Sequence, residues 1–191
     1  MYIPNATVFR GSERNGYPFL NEPRQLSFVA VAGTRMASEL ISEYCISDAC
    51  NAAYKDPPVE TRGGQLYIQG NLVNHIKRKM SAIISIALEN KHDAIVLGAW
   101  GCGRFVFWWS LKSLRYLNRH CSYENPPNHI AALFKEVLNT DKFKNRFKVV
   151  AFAILDDKIF KEHNPAGNLK PFAQIFNVEP IELGLKPTED D

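Results

Sequence analysis

The stretch His92–Phe105, HDAIVLGAWGCGRF, combines a short apolar run with a loop that is rich in glycine. The run Ala94–Leu97 is typical of a buried β-strand, and the loop Gly98–Gly103 follows it directly. In open α/β sheets, ligands bind beyond the carboxyl ends of the strands, and glycines there let backbone N–H groups approach an anion closely. The loop therefore either binds a phosphate or is a tight turn whose glycines permit close packing.

Neither of the two common phosphate-binding motifs is present in the loop. No Gly-Lys-Ser/Thr follows it, as a Walker loop requires, and Gly-x-Gly-x-x-Gly is also absent. The glycine spacing alone is therefore a weak indication of an anion site.

Apolar strands and amphipathic helices alternate on both sides of the loop. Strands are predicted at Met1–Arg10, Leu26–Gly33, Ala94–Leu97 and Phe147–Asp157. Amphipathic helices are predicted from Asn71 for about five turns, from Pro126 onward, and at Asn168–Phe176 with Asn168 as a cap. The strand at Leu26–Gly33 is almost continuously apolar, so we expect it to be buried on both faces. The alternation predicts a layered α/β fold with a mixed or parallel sheet.

Composition and charge argue against several classes of protein. The 191 residues suit one domain, and the net charge of +3 gives no support for a dedicated nucleic-acid surface. No apolar run reaches the roughly 18–20 residues of a membrane helix, and the opening residues lack the apolar core of a signal peptide. The four cysteines contain no Cys-x-x-Cys pair, so no zinc site or disulfide framework is predicted. We therefore expect a cytoplasmic or nuclear protein with no membrane and no specific nucleic-acid partner.

Three segments together resemble the C-terminal portion of the microbial-type poly(ADP-ribose) glycohydrolases, macrodomain proteins of bacteria, fungi and other microbes. These segments are HDAIVLGAWGCGRF, NPPNHIAALFKEVL at Asn125–Leu138, and RFKVVAFAILD at Arg146–Asp156. The opening YIPNATVFR at Tyr2–Arg10 is similar to a strand motif of the same family. The resemblance covers most of the chain. It implies a macrodomain-like three-layer α/β/α sandwich with a mixed sheet, formed by residues 1–177 as a single domain and followed by a tail at 178–191.

The same resemblance implies that the glycine loop binds ADP-ribose or an ADP-ribosylated protein. In the family this loop wraps the diphosphate and the distal ribose. The implied ligand-binding residues are Gly98, Ala99, Gly101, Cys102, Gly103, Arg104 and Phe105. The first five would form a backbone cradle, Phe105 would contact the distal ribose, and Arg104 would contact a phosphate or point to solvent. We interpret Trp100 and Cys102 as packing residues, and the family implies no metal or redox cofactor.

The family's catalytic signature is absent from these 191 residues. It consists of Gly-Gly-Gly followed after a spacer by Gln-Glu-Glu, in which a glutamate protonates the leaving ribose oxygen. In the family it precedes the strand that Tyr2–Arg10 resembles, so we expect an N-terminally incomplete, inactive chain whose open sheet edge a partner segment would cover. Gly63-Gly64-Gln65 has no carboxylate after it. Asp93, Asp156 and Asp157 are interpreted as turn or capping residues, so no catalytic residue is assigned.

The run Val106–Tyr123, VFWWSLKSLRYLNRHCSY, interrupts the family pattern, which resumes after it at ENPPNHIAALF. It is compatible with an insertion helix that forms a lid or binds a partner, a basic membrane-surface anchor, or a stacking platform for nucleic acid. The interpretation that we favour is an intron translated in frame, since every Val codon begins with the usual intron start. If the run belongs to the mature protein, we expect it to separate the loop from its helix and weaken binding.

Three functions therefore remain open from the sequence. The first is hydrolysis of the ribose–ribose bonds of ADP-ribose polymers, with these 191 residues inactive. The second is a non-catalytic ADP-ribose-binding module. The third is a truncated gene product that has no ligand.

Overall fold

The computed structural model of the chain describes residues 1–12, 15–34, 59–103, 125–155 and 167–181. The elements, in chain order, are β1 (Tyr2–Arg10), β2 (Phe19–Val29), β3 (Val59–Arg62), β4 (Gln65–Ile68), α1 (Gly70–Glu89), β5 (Ala94–Leu97), α2 (Pro127–Leu138), β6 (Val149–Phe152) and α3 (Leu169–Phe176). Within these ranges the strands pair as β1–β2, β3–β4 and β5–β6. The α/β class is therefore confirmed, whereas the three-layer sandwich with one mixed sheet stays a prediction.

The described residues form two compact units, and the first contains Met1–Ala32. In this unit β1 and β2 pair as an antiparallel hairpin, which confirms the strand predicted at the N-terminus. The second strand begins at Phe19, earlier than predicted, and it is not buried on both faces. Leu26 and Phe28 lie two residues apart and so share one face of this two-stranded sheet, and they are 48% and 44% exposed.

The second unit, Gly33–Val178, contains the longest helix, α1, where the apolar spacing predicted it. Its buried residues share one face: Ile76, Met80, Ile83, Ile84 and Ala87. Burial of each isoleucine and methionine side chain in this set contributes about 1.5–3 kcal/mol. The helix ends where Lys91 adopts a left-handed φ of 62° and the Asn90 side-chain amide donates to the Ile86 carbonyl at 2.8 Å. No helix in the described ranges is long and apolar enough to cross a membrane.

Strands β5 and β6 form a parallel pair in register from Ala94↔Val149 to Leu97↔Phe152. One face of this pair packs through Phe152, whose ring lies 5.5, 5.2 and 4.8 Å from the rings of Phe134, Phe172 and Phe176. Helices α2 and α3 are therefore attached to the same face of the pair. The strand predicted at Phe147–Asp157 is confirmed only for its centre, and it is less buried than predicted, since Val149 is 54% exposed.

The antiparallel hairpin β3–β4 packs against the start of α2. Its turn is Gly63–Gly64, with φ angles of 55° and 77°, which glycine adopts without a steric penalty. The backbone N–H of Ile68 donates to His129 Nδ1 at 2.7 Å, and Asn128 Nδ2 donates to the Leu66 carbonyl at 3.3 Å. Two side chains at the beginning of α2 therefore hold this hairpin.

The predicted starts of α2 and α3 are correct in position, and α3 differs from the prediction in its capping. Pro126 is the N-cap of α2 and Pro127 its first residue, as the Asn-Pro-Pro sequence predicts. Asn168 is the N-cap of α3, but its side chain makes no capping hydrogen bond. Its backbone has φ −92° and ψ −30°, a near-helical conformation instead of the extended one that side-chain capping favours.

Candidate anion-binding loop

The glycine loop leaves the carboxyl end of β5 beside the point where β6 ends. The N–H of Ala153, the residue after β6, donates to the Leu97 carbonyl at 2.7 Å. A Cβ at Gly98 would lie 3.7 Å from the Ala153 carbonyl oxygen. The loop therefore starts at the carboxyl edge of a parallel strand pair, which is the edge where ligands bind in α/β folds.

Internal hydrogen bonds fold the loop back on itself. The Trp100 N–H donates to the Gly98 carbonyl at 2.8 Å, and the Cys102 N–H donates to the Ala99 carbonyl at 3.0 Å. Gly101 has a φ of +74°, a conformation that glycine adopts without a steric penalty. The N–H groups of Ala99, Gly101 and Gly103 donate no hydrogen bond to another residue in the described part of the chain. Within the described residues, the loop therefore has backbone donors that no other residue accepts, as an anion site requires.

Asn125 fastens this loop from a position next to the start of α2. Its backbone N–H donates to the Gly101 carbonyl at 2.9 Å. Its side-chain Nδ2 donates to the same carbonyl at 3.0 Å and to the Thr34 carbonyl at 2.8 Å. Asn125 is only 2% exposed, so these bonds form away from solvent. One buried amide therefore connects two segments that are distant in sequence.

The contact between Asn125 and Gly101 also bears on the run Val106–Tyr123, which itself lies outside the described residues. We expected this run to separate the glycine loop from its helix. The structure differs: Asn125 lies two residues before the first residue of α2 and bonds directly to Gly101. The helix start stays beside the loop because both groups of Asn125 hold it there.

Cys102 has the environment of a packing residue. It is 9% exposed, and burial raises the pKa of its thiol to about 12. Its Sγ lies 3.8 Å from the Trp100 carbonyl oxygen, a weak contact. A thiol with this pKa is protonated at neutral pH and is a poor nucleophile. Its contribution to the loop is therefore steric.

Asp93 lies at the amino end of β5, opposite the end that carries the glycine loop. Its carboxylate forms an ion pair with Lys148, in which Asp93 Oδ2 and Lys148 Nζ are 2.7 Å apart. The hydrogen bond and charge of Lys148 hold the pKa of Asp93 below its usual value. An exposed, ionised carboxylate at this place is unsuited to protonate a leaving group at the loop.

Several predicted residues lie outside the described ranges, namely Arg104, Phe105, Asp156 and Asp157. The ligand contacts implied for Arg104 and Phe105 stay predictions. Within the described ranges, no group of three or more His, Cys, Asp and Glu side chains is arranged to hold a metal ion.

Sequence reasoning missed the two residues that fasten the loop, Thr34 and Asn125. The Asn-Pro-Pro sequence at Asn125 indicates only a helix start, and no local pattern marks Thr34. Their hydrogen bond joins positions 91 residues apart, so no local spacing could reveal it. The one signal available was the family pattern, which brings Asn125 close to the loop when Val106–Tyr123 is left out.

Comparisons with known proteins give fold-level similarity only. No protein-family model matches the chain, and no curated protein matches it either. Similar solved structures include the poly(ADP-ribose) glycohydrolase of Deinococcus radiodurans in complex with ADP-ribose, with a TM-score of 0.57, 17% identity, and coverage of 92% of this chain and 51% of that chain. The apo form of that enzyme gives a TM-score of 0.56 at 18% identity, covering 92% and 52% of the two chains.

A second bacterial enzyme is similar to the same extent. The poly(ADP-ribose) glycohydrolase of Thermomonospora curvata has a TM-score of 0.54 and 20% identity, covering 92% of this chain and 46% of that chain. The chain therefore spans about half the length of the solved structures that it matches. The resemblance seen in the sequence is confirmed at the level of structure: the chain has the fold of about half of a bacterial poly(ADP-ribose) glycohydrolase.

Proposed function

We propose that the chain binds ADP-ribose through the backbone of Gly98–Gly103, as part of a protein of the poly(ADP-ribose) glycohydrolase type. The observation that carries this proposal is the loop itself, which lies at the carboxyl edge of β5 beside the start of α2 and has N–H groups that donate to no other described residue. A diphosphate is the anionic part of ADP-ribose, and backbone N–H groups next to a helix N-terminus favour such an anion. Similar solved structures were crystallised with ADP-ribose, which supports this choice of ligand.

The reaction proposed for the whole protein is hydrolysis of the ribose–ribose bonds of ADP-ribose polymers on modified proteins. This reaction needs a general acid near the ribose oxygen. The 191 residues contain neither Gly-Gly-Gly nor Gln-Glu-Glu, and Asp93 is ion-paired at the wrong end of β5. We therefore propose that these residues bind ADP-ribose and need a further segment for catalysis.

The same proposal includes a larger sheet than the three pairs described above. Val96, Val149 and Val150 of the β5–β6 pair are 70%, 54% and 37% exposed. Exposed apolar side chains on a two-stranded sheet favour contact with another segment. We propose that a further segment of the protein or a partner chain covers this pair and completes a three-layer α/β/α sandwich.

Calorimetry and a hydrolysis assay test the two parts of the proposal separately. Titrating the folded 191-residue chain with ADP-ribose should release or absorb heat at a stoichiometry of about one, as expected for a single loop site. Adenosine, which lacks the diphosphate, is the matched ligand and should bind more weakly. No heat from a sample that circular dichroism shows to be folded would remove the binding proposal.

The hydrolysis assay uses poly(ADP-ribose) on an automodified acceptor protein and measures released ADP-ribose by chromatography. The expected result is no turnover by the 191-residue chain. Turnover above the protein-free control would show that a carboxylate of this chain acts as the acid, and the requirement for a further catalytic segment would be wrong.

A further inference from the structure

We propose that Asn125 is a positioning residue of the glycine loop, whose buried amide holds the loop in the conformation that receives a diphosphate. The inference rests on the proposed binding of ADP-ribose. Three hydrogen bonds carry it, of which two reach the Gly101 carbonyl and one reaches the Thr34 carbonyl. Asn125 itself is nine-tenths or more buried. It touches the loop and not the reacting atoms, so its role is positioning.

The ordinary role for an asparagine at this place would be to cap the helix, and the structure argues against that role. Asn125 precedes the N-cap, which is Pro126, and no side chain caps α2. Proline has no backbone N–H, so neither Pro126 nor Pro127 can donate a backbone hydrogen bond to the Asn125 side chain. The amide turns instead toward the loop, and none of its hydrogen bonds is made to the helix.

The chemistry of the site requires the two donors of an amide. Two carbonyl oxygens, of Gly101 and Thr34, face Asn125 Nδ2. An aspartate of the same shape would place a carboxylate against both oxygens, and its charge would also repel a bound diphosphate. Asparagine therefore fits this position by its hydrogen-bond donors as well as by its size.

The hydrogen bonds from Asn125 to the Gly101 and Thr34 carbonyls form a clamp, and this clamp fixes the direction of the Gly101 carbonyl. The Gly101 carbonyl faces Asn125, and a Cβ at Gly101 would lie 2.3 Å from Asn125 Nδ2, so the two residues are in close contact. Because the peptide unit is planar, holding this carbonyl also fixes the N–H of Cys102, which belongs to the same peptide unit and donates to the Ala99 carbonyl. Loss of the amide should free the loop, and the unused N–H groups would then have to be ordered by the ligand.

Two buried oxygens beside these hydrogen bonds are left without a partner among the described residues. Asn125 Oδ1 and Thr34 Oγ1 make no hydrogen bond, although buried polar atoms are nearly always paired. The amide is oriented by its two donors, and its acceptor is left unused.

The test compares Asn125→Ala with Asn128→Ala in the same 191-residue chain. Asn128 is a matched control because its Nδ2 also donates twice, but to Gln65 and Leu66 of the β3–β4 hairpin. We expect Asn125→Ala to weaken ADP-ribose affinity about tenfold, which is the loss of a modest interaction, and Asn128→Ala to leave it unchanged. Amide hydrogen exchange of residues 98–103, measured without ligand, should speed up in Asn125→Ala only.

Two further variants keep the result interpretable. Asn125→Ser retains one donor and should restore part of the slow exchange, and it replaces Asn125→Ala if that variant does not fold. Asn125→Asp keeps the shape and loses the donors, so its ADP-ribose affinity should be no better than that of the alanine variant. Wild-type affinity in Asn125→Asp would overturn the proposal.

The two measurements separate a failure of this inference from a failure of the proposed function. If the wild-type chain binds ADP-ribose and Asn125→Ala binds equally well, Asn125 does not position the loop and the proposed function stands. If the wild-type chain does not bind ADP-ribose, the proposed function fails. In that case faster loop exchange in Asn125→Ala still supports the clamp, and unchanged exchange overturns it.

Discussion

Gly101 has a φ of +74°, and the left-handed region costs a residue with a Cβ about 1–2 kcal/mol. A Cβ would also meet Asn125 Nδ2 at 2.3 Å, a distance at which one of the two residues has to move. The neighbouring Gly98 has no such constraint, because its Cβ would lie at an ordinary 3.7 Å from the Ala153 carbonyl oxygen. Gly101 is therefore the glycine of this loop for which the structure gives a specific reason.

The substitution Gly101→Ala should weaken ADP-ribose binding about tenfold or more and lower the free energy of unfolding by about 1–3 kcal/mol, as overpacking of a filled site does. The matched control is Gly64→Ala, since Gly64 has a φ of +77° and nothing within 4 Å of its added Cβ. Gly64→Ala shares the backbone strain and lacks the collision, so it should leave ADP-ribose affinity unchanged. Calorimetry and urea denaturation of both variants measure the two effects. Equal affinities in the two variants would contradict a role for Gly101 in the site.

For single residues, the sequence could predict which ones form the loop, but it could not predict the hydrogen bonds that hold the loop in place. Glycine spacing after an apolar run indicates a loop at Gly98–Gly103 because both features are local. The clamp through Asn125 joins positions 24 and 91 residues apart, so it depends on tertiary folding. The burial that raises the pKa of Cys102 also depends on tertiary packing.

The contact between two secondary-structure elements, the β3–β4 hairpin and α2, contains a titratable side chain, His129. His129 Nδ1 accepts the Ile68 N–H at 2.7 Å, which requires the neutral ring. Desolvation, followed by the charges of Arg62 and Lys77, lowers the pKa of His129, against smaller opposing effects of Glu136 and Glu60. The ring of Tyr67 also packs against His129 at 5.1 Å. Protonation of His129 would turn Nδ1 into a donor facing another donor.

The free energy of unfolding should therefore depend on pH through His129. Because its folded pKa is below the unfolded value of 6.5, the stabilisation is present above pH 6.5 and is lost as the pH falls through the folded pKa. The variant His129→Asn keeps an acceptor that does not titrate, so its loss of stability between pH 7.5 and 5 should be smaller by about 1 kcal/mol, the contribution of one hydrogen bond. Urea denaturation at the two pH values measures this difference.

The control for this experiment is His75→Asn, because His75 is exposed on α1. This variant should keep the pH dependence of the wild-type chain. If His129→Asn and the wild-type chain lose the same stability on acidification, the hydrogen bond to Ile68 is not the acid-sensitive contact.

The sequence predicted the helices better than the strands, and the reason lies in their lengths. Helix α1 has 20 residues and α2 has 12, so the apolar period repeats often enough to be recognised. Strands β3 and β4 have four residues each, and neither is among the strands that the sequence predicts. A four-residue strand shows two positions per face, too few to distinguish alternation from chance. Strand β5 is equally short and is predicted by its continuous apolar run instead of by alternation.

Deleting residues 106–123 should leave the glycine loop intact. Gly101 and Asn125 already bond to each other, and five residues, 102–105 and 124, would then connect them. Connections of about 2–6 residues are common in α/β units. Shortening the loop should raise the free energy of unfolding by roughly 1 kcal/mol, since each halving of loop length contributes about 0.6 kcal/mol.

Calorimetry with ADP-ribose and urea denaturation check this deletion variant. The control replaces residues 106–123 with a Gly/Ser segment of the same length, which keeps the loop length and changes only the sequence. We expect both variants to bind ADP-ribose as the wild-type chain does. Loss of binding in both would show that the run Val106–Tyr123 contributes to the site, and its interpretation as a translated intron would be contradicted.

For the whole molecule, local patterns predicted the α/β class but not how far the sheet extends. Alternating apolar and amphipathic segments are enough to predict a layered fold. The number of strands in one sheet depends on pairing between distant segments, and in the described ranges β5 pairs only with β6.

The exposed face of the β5–β6 pair should make the 191-residue chain associate with itself at high concentration. Val96 is 70% exposed and lies on the face opposite Leu97 and Phe152, because side chains alternate along a strand. Val96→Lys should reduce the concentration-dependent increase in apparent mass, and it should change the free energy of unfolding by no more than about 0.5 kcal/mol, as a surface substitution does.

The control Val178→Lys changes a valine that is 59% exposed and follows α3, outside the sheets. Sedimentation velocity over a concentration series compares the three proteins. A destabilisation by Val96→Lys of several kcal/mol would show instead that this face is already packed against another part of the chain.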